Sequence, residues 1–361
     1  MLAKDWEYTR MWSINTLTER LNLKWPILQA PMGSASTPAL AAAVTNAGGL
    51  GGLGMWGRSA IRPHAASRGF GSKAAGVSTS ITRFGPTRAA HLTPAGRCRN
   101  IQVQYDAFGL GRVPEPAGEV SDVGPEHVAL MLETKPEVVS FHFGLPAPEV
   151  IRALKVAGTF ILSSATTVAE ARLLEQQGVD AIIAQGTEAG GHRATFTGIE
   201  ISMQSGLFSL LPQIVNAVRV PVIAAGGVAD GRTAAAAFML GASAVELGTA
   251  FLRCEEADVR DAHRATLAEA DDACTVVTDV ISGRPCRYIR NKLIDDLMAS
   301  GLKPLPVPAQ QSLTQRLGDT GNREWTTLTS GQSAALARAT KAAELIERLA
   351  DETTRRLRAF A

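Results

Sequence analysis

Asp180-Ala181-Ile182-Ile183-Ala184-Gln185-Gly186-Thr187-Glu188-Ala189-Gly190-Gly191-His192-Arg193 is the stretch whose reading decides the fold. It opens as a short apolar run of strand type and closes as a glycine-rich turn that ends on an ionisable ring. A buried strand that delivers a histidine in this way reads as the rim of an active site. Two further strand-to-glycine turns follow, Val222-Ile223-Ala224-Ala225-Gly226-Gly227 and Ala244-Val245-Glu246-Leu247-Gly248-Thr249. Such turns present consecutive backbone N–H groups, and a helix starting just beyond adds partial positive charge, so together they suit a phosphate. In a (β/α)8 barrel that site commonly lies in the loops after the last two strands. The spacing therefore predicts a phosphorylated cofactor beside His192.

Working outward, apolar strand signals recur at 26–32, 50–53, 76–81, 138–144, 159–163, 180–184, 220–225 and 244–247, which makes eight. Helical patterns at 38–47, 147–157, 167–177, 210–218 and 231–240 alternate with them, several stopping at a glycine such as Gly48, Gly158, Gly178 or Gly241. Strand–helix alternation with short connections predicts an α/β fold with a parallel sheet, here a TIM barrel. The chain has 361 residues, more than the roughly 250 of a plain barrel. The expected division is an N-terminal extension at 1–13, the barrel at 14–250 with an insertion at 106–136 before the fourth strand, and a helical C-terminal subdomain at 251–361 packing on the barrel. The long helical periodicity of 334–357 supports the last of these.

Composition excludes several classes. No apolar stretch reaches the roughly 18 residues needed to cross a membrane, and Asp5, Glu7 and Arg10 stand where a signal peptide would need an apolar core. A cytoplasmic protein without membrane contact is expected. Cys98, Cys254, Cys274 and Cys286 have neither CxxC nor zinc spacing and read as reduced thiols, with no metal site. A net charge of +2 makes no case for nucleic acid. One region is anomalous: Asp and Glu are absent from Arg20 to Gln104, and 57–105 holds eight Lys or Arg with poor periodicity. Family-like pattern resumes near Tyr105, and the stretch 57–104 reads as a local frameshift, with 76–81 still pairing as a strand and 58–73 and 86–99 irregular.

The chain resembles the class I nitronate monooxygenases, formerly 2-nitropropane dioxygenases, which are FMN-dependent barrels. The matching elements are Gln29-Ala30-Pro31-Met32, Ser140-Phe141-His142-Phe143-Gly144, Gln185 through His192, Gly226-Gly227, Gly248-Thr249, Gly283-Arg284-Pro285 and Arg290-Asn291. They cover roughly 14–56 and 103–350, and the two histidine-bearing motifs are the specific part. The resemblance implies that Gln185, Gly190, Gly227, Glu246, Leu247, Gly248 and Thr249 contact FMN, with Gly191 and Gly226 in the same turns, that His192 is the catalytic base, and that His142 is a second active-site histidine. Pro31 and Met32, at the end of strand one, read as a wall for the flavin ring, or more blandly as packing residues. The resemblance also implies a nitronate or nitroalkane substrate, such as propionate 3-nitronate, oxidised with dioxygen by a flavin semiquinone route; the oligomeric state stays open, a homodimer being one assembly open to the chain. Physical chemistry agrees on the bases: a neutral imidazole can take a proton from a weakly acidic carbon. The bland reading of His142 is a satisfied core histidine, and that of Gln185 a polar residue serving nearby backbone.

Two departures bear on activity. Where the family has an asparagine at the end of the third strand, this chain has Gly76-Val77-Ser78-Thr79-Ser80-Ile81. Where it has a tyrosine in a Tyr-Pro-x-Gln setting, this chain has Val307-Pro308-Ala309-Gln310, so substrate-pocket aromatics are missing. Rival readings on the same fold are an FMN-dependent NADH:quinone reductase, an enoyl-thioester reductase, and a degenerate FMN-binding paralogue without activity.

Overall fold

A computed structural model describes residues 12–55, 78–82, 94–117, 123, 125–301 and 303–359. The apolar runs form the strands β1 Ile27–Gln29, β2 Gly52–Gly54, β3 Ser78–Thr82, β4 Val138–His142, β5 Phe160–Ala165, β6 Ala181–Gln185, β8 Val222–Ala225 and β9 Ala244–Leu247, with the two-residue β7 Gly191–His192 between β6 and β8. They pair in parallel in the order β1-β9-β8-β6-β5-β4-β3-β2. The ring closes where Leu28 bridges Leu50. There the Gln29 N–H donates to the Leu50 carbonyl at 2.8 Å and the Leu50 N–H to Ile27 at 2.9 Å. Closure removes the unpaired edges an open sheet would present, and the architecture is the expected TIM barrel.

Strand parity decides what each residue can do, because successive side chains face opposite sides of the sheet. Val139, Phe141, Ile161, Ile182, Ala184, Val222, Ala224, Val245 and Leu247 pack outward against the helices. Leu28, Val138, Leu162, Ala181, Ile183, Ile223, Ala225 and Ala244 pack inward. The inward parity carries on to Ser140, His142, Ser164, Gln185 and Glu246, which emerge at the C-terminal ends of their strands on a common cavity wall. A one-residue slip in any of these strands would put its polar residue among the helices.

The helices are α1 Thr16–Arg20, α2 Pro38–Asn46, α3 Pro94–Ala107, α4 Pro125–Thr134, α5 Pro148–Val156, α6 Val168–Gln176, α7 Leu207–Ala217, α8 Gly231–Met239, α9 Asp261–Ala268, α10 Lys292–Ala299, α11 Ala309–Thr314 and α12 Ala342–Arg358. Start signals act as expected: the Thr37 and Thr167 hydroxyls cap α2 and α6, and Asp230 with Thr233 forms a capping box on α8. The expected helical C-terminal region also contains strands. β10 Thr275–Thr278 and β11 Cys286–Ile289 form an antiparallel sheet with β7, pairing Cys286 with His192. The C-terminal helix α12 leaves that region and lies against α8 and α2 on the barrel wall, burying Leu345, Ile346 and Leu349.

Within the anomalous region, β3 pairs with β2 and β4, so the strand expected there forms. The expectation that 86–99 is irregular is corrected for 94–99, which belong to α3; 58–73 and 86–93 lie outside the described residues. Cys254, Cys274 and Cys286 are free thiols, and among the described residues there is no metal-ligating cluster and no helix long and apolar enough to cross a membrane.

Candidate active site

At the C-terminal mouth of the barrel lies a cavity of about 550 Å³, within the range of small-ligand sites. Twelve of the thirteen predicted site residues line it: Pro31, Met32, His142, Gln185, Gly190, Gly191, His192, Gly226, Gly227, Glu246, Gly248 and Thr249. Leu247 is the correction. Its parity is outward, its side chain is in the core between sheet and helices, and its carbonyl accepts from the Ala30 N–H at 2.8 Å.

His192 is held from both backbone and ring. Its carbonyl accepts from Gln185 Nε2 at 3.0 Å and from His142 Nε2 at 3.3 Å. Its own Nε2 lies 2.9 Å from the Ser282 hydroxyl, which donates to the Arg284 carbonyl at 3.0 Å. When that hydroxyl proton stays on the Arg284 carbonyl, the Ser282 oxygen accepts, and His192 then carries its proton on Nε2 with a lone pair on Nδ1. Burial, then the Arg284 guanidinium, pushes the His192 pKa down to about 4, and the ring is neutral near pH 7.

His142, the second histidine of the cavity, is bonded at both ring nitrogens. Its Nε2 faces a carbonyl and must donate, and its Nδ1 must then accept from the Ser164 hydroxyl at 3.2 Å. Both ring nitrogens are occupied, and burial, with the charge of His192 next, lowers its pKa to about 3. In this arrangement His142 supports the His192 backbone. Gln185 is similar: while Nε2 serves the His192 carbonyl, Oε1 accepts from the Ala194 N–H at 2.9 Å. One amide hydrogen remains for a ligand.

The loop between β6 and β7 is fastened further by buried charge. Arg193, only 1% exposed, donates to the Gly186 and Gln185 carbonyls at 2.6 and 3.0 Å. Arg287 donates twice to the Thr187 carbonyl. Beyond His192, the fully buried Glu170 receives Thr166 on one oxygen and Thr195, Phe196 and Thr197 on the other. Burial alone would raise the Glu170 pKa, but those donors outweigh it and hold the carboxyl below its usual range. Arg284 lies 3.7 Å above the Phe143 ring, whose other neighbours are His142 and His192. Burial lowers the Arg284 pKa to about 10, which leaves it cationic near pH 7.

The turns after β8 and β9 have the opposite character. Among the described residues none accepts from the N–H of Gly227, Val228, Gly248 or Thr249. Gly226 and Gly227 have φ of 104° and 72°, which only glycine adopts at low cost. The Thr249 hydroxyl accepts from the Gly331 N–H at 2.8 Å and keeps its own proton to donate. A Cβ at Gly190 would come within 2.5 Å of the Gly331 nitrogen. On the strand-one side, Gln29, missed as a site residue because it touches no ligand space, ties the wall together. Its Nε2 meets the Ala30 carbonyl, the Ser36 hydroxyl and the Gly52 carbonyl, and Ser36 accepts from the Met32 N–H at 2.8 Å. Ser282 was also missed, although it directly precedes the Gly283-Arg284-Pro285 motif. Glu246 sits in the wall with its pKa pushed up to about 7 by burial.

A closed parallel barrel with anion-ready turns and an oriented neutral imidazole at its C-terminal rim is a barrel enzyme. Comparison with known proteins narrows the class. The nitronate monooxygenase family profile matches residues 15–352, and the chain belongs to that family of oxidoreductases. It is 38% identical to the nitronate monooxygenase of Pseudomonas aeruginosa over 349 residues, covering 93% of this chain and 98% of the relative. It is also 38% identical to that of Paraburkholderia phytofirmans, over 94% of this chain and 96% of the relative. The structure of nitroalkane oxidase from Streptomyces ansochromogenes matches with a TM-score of 0.87 at 34% identity, covering 96% of this chain and all of that one. FabK from Thermotoga maritima matches with a TM-score of 0.74 at 29% identity.

Proposed function

We propose that the chain is an FMN-dependent monooxygenase of alkyl nitronates, with propionate 3-nitronate in the substrate class and dioxygen as the oxidant. The observation that carries the choice of nitronate is the state of His192, neutral with a free Nδ1 beside the buried Arg284 cation. A conjugate acid near pKa 4 makes His192 a weak base, so removing a proton from a neutral nitroalkane in this site is uphill. A nitronate arrives already deprotonated, and the cation of Arg284 favours its negative charge in a low-dielectric site.

The residues present fit FMN. The N–H groups of Gly227, Val228, Gly248 and Thr249, with the Thr249 hydroxyl, would hold its phosphate. Pro31 and Met32 would wall the ring, and the remaining Gln185 amide hydrogen would reach its polar edge. Glu246, whose carboxyl burial favours in its protonated form, would present a polar group to the ring. When bound, FMN supplies the redox chemistry between the nitronate and dioxygen. The chain's own part is to orient the substrate at His192 Nδ1, to hold that residue by its ring at Ser282 and by its carbonyl at Gln185 and His142, and to accept a proton at Nδ1 when the substrate is a nitroalkane.

The test is an absorption spectrum of the purified protein followed by oxygen uptake with a pre-formed nitronate. Flavin bands and nitronate-dependent uptake are expected. A flavin-loaded protein that consumes no oxygen with any nitronate, yet loses its flavin colour to NADH without oxygen, would replace this reading with a nicotinamide-driven reductase.

A further inference from the structure

Phe143 occupies a strained point of the cavity wall. Side chains alternate along β4, so after outward Phe141 and inward His142 a continuing strand would send residue 143 back among the helices. Instead Phe143 takes a φ of 68°, a left-handed backbone that is uncommon for a bulky side chain, and Gly144 follows at 89°. The turn keeps the Phe143 ring on the cavity wall beside His142, with centroids 4.5 Å apart, and edge-on to His192 at 6.1 Å. Backbone outliers of this kind persist where the surrounding structure holds them, and they cluster at functional sites.

What the ring meets is a cation. The central carbon of the Arg284 guanidinium lies 3.7 Å from the Phe143 centroid, a stack for which the planar guanidinium is suited. A terminal nitrogen of Arg284 donates to the Thr195 carbonyl at 2.6 Å. Among the described residues no carboxylate pairs with it. A partly buried charge without a counterion attracts an anion. The ring and one carbonyl thus locate that charge, and the ring itself belongs to the substrate cavity.

We propose that Phe143 is a positioning residue: its ring, turned into the cavity by a left-handed backbone, fixes the Arg284 cation beside His192 and so gives the site its preference for an anionic substrate over a neutral one of the same shape. The inference rests on the nitronate reading for the identity of that anion, and on the stack alone for the placement of the charge.

Inert probes read that placement without turnover. Isobutyrate is close to propane-2-nitronate in outline and charge, and isobutyramide is its neutral counterpart; each is titrated calorimetrically into the protein as it purifies. The wild type should bind isobutyrate more tightly than isobutyramide. Phe143→Leu should cut that preference by about tenfold, the size expected of a cation–π contact out of water, whereas Phe143→Tyr, which keeps the ring, should retain it. Phe143→Asn, which tolerates the left-handed backbone but has no ring, gives the same reading where the leucine variant does not fold. In an Arg284→Met background, Phe143→Leu should change the preference no further, because the charge it places is gone. Equal binding of the two probes by the wild type, or binding of neither, would overturn the proposal. So would a preference that survives the loss of the ring, including a weakening shared equally by both probes, which marks a merely structural role. An anion preference that depends on Phe143, in a protein that consumes no oxygen with any nitronate, would keep the positioning role and overturn the nitronate reading.

Discussion

The loop from Gln185 to Arg193 and the rest of the cavity rim keep opposite hydrogen-bond accounts. In the loop, the Gln185, Gly186, Thr187 and His192 carbonyls are taken up by Arg193, Arg287, Gln185 and His142. The Glu188 carboxylate closes on the Leu207 N–H. Across the cavity, the N–H groups at 227, 228, 248 and 249 meet no acceptor among the described residues. The saturated side fixes one imidazole in one tautomer, and the unsaturated side is where ligands gain their contacts. Preorganisation and recognition are thus divided between two walls of one space.

The largest effect is expected on the unsaturated side. Gly227→Val places a β-branched residue at a φ of 72° and blocks close approach to the turn, so the protein should purify without flavin. Full flavin occupancy, read from the absorption spectrum, would show that the free N–H groups are not the phosphate site. On the saturated side, His192→Asn should preserve flavin binding and reduce kcat/KM for neutral nitroalkanes by about 10²–10⁴-fold, with a smaller loss on pre-formed nitronates. An equal loss on both would mean that His192 orients the anion instead of taking a proton. With His192 near pKa 4, its lone pair is available above that value, so no activity loss attributable to its protonation should appear until the pH approaches 4.

Glu170→Ala should lower unfolding free energy by about 3–5 kcal/mol, measured by chemical denaturation, because it strands donors from Thr166, Thr195, Phe196 and Thr197. The pH dependence has a definite sign. The folded-state pKa of Glu170 is depressed, so its contribution is complete above the unfolded value and is lost as pH falls through the folded one. Glu170→Gln should accordingly lose less stability on acidification than the wild type, and parallel acid-unfolding curves would contradict this. The smallest effect is expected from Ser282→Ala, which frees the tautomer without removing the base; a fall of about tenfold in nitroalkane kcat/KM, near 1.4 kcal/mol, should leave flavin content and nitronate turnover almost unchanged.

Much of the barrel was legible because strands buried on both faces write themselves as apolar runs: 244–247 was read at its structural bounds, and 138–144 and 180–184 within two residues. The glycine turns were legible for the same local reason. The β10-β11-β7 sheet was not, since Thr275-Val276-Val277-Thr278 is mostly half-buried and its third partner is two residues long and some eighty positions away. Helix α3 was masked by Gly96 and by its weak apolar periodicity. At the site, residue types pointed to His142 and Gln185 but not to their duties. Whether a ring nitrogen faces a cavity or a carbonyl depends on the fold of another segment, and no local pattern records it.

The helix α12 gives the chain an order of assembly. All eight barrel strands precede it, yet it packs beside α2, near the start of the chain, and its Glu352 carboxylate accepts from the Gly231 N–H at 3.0 Å. During synthesis the flank formed by Leu40 and Val44 stays without its partners Leu345, Ile346 and Leu349 until that helix leaves the ribosome. A chain ending after residue 341 would retain every residue around the cavity and still carry an open apolar flank, making it a substrate for chaperones and proteases while its chemistry was intact.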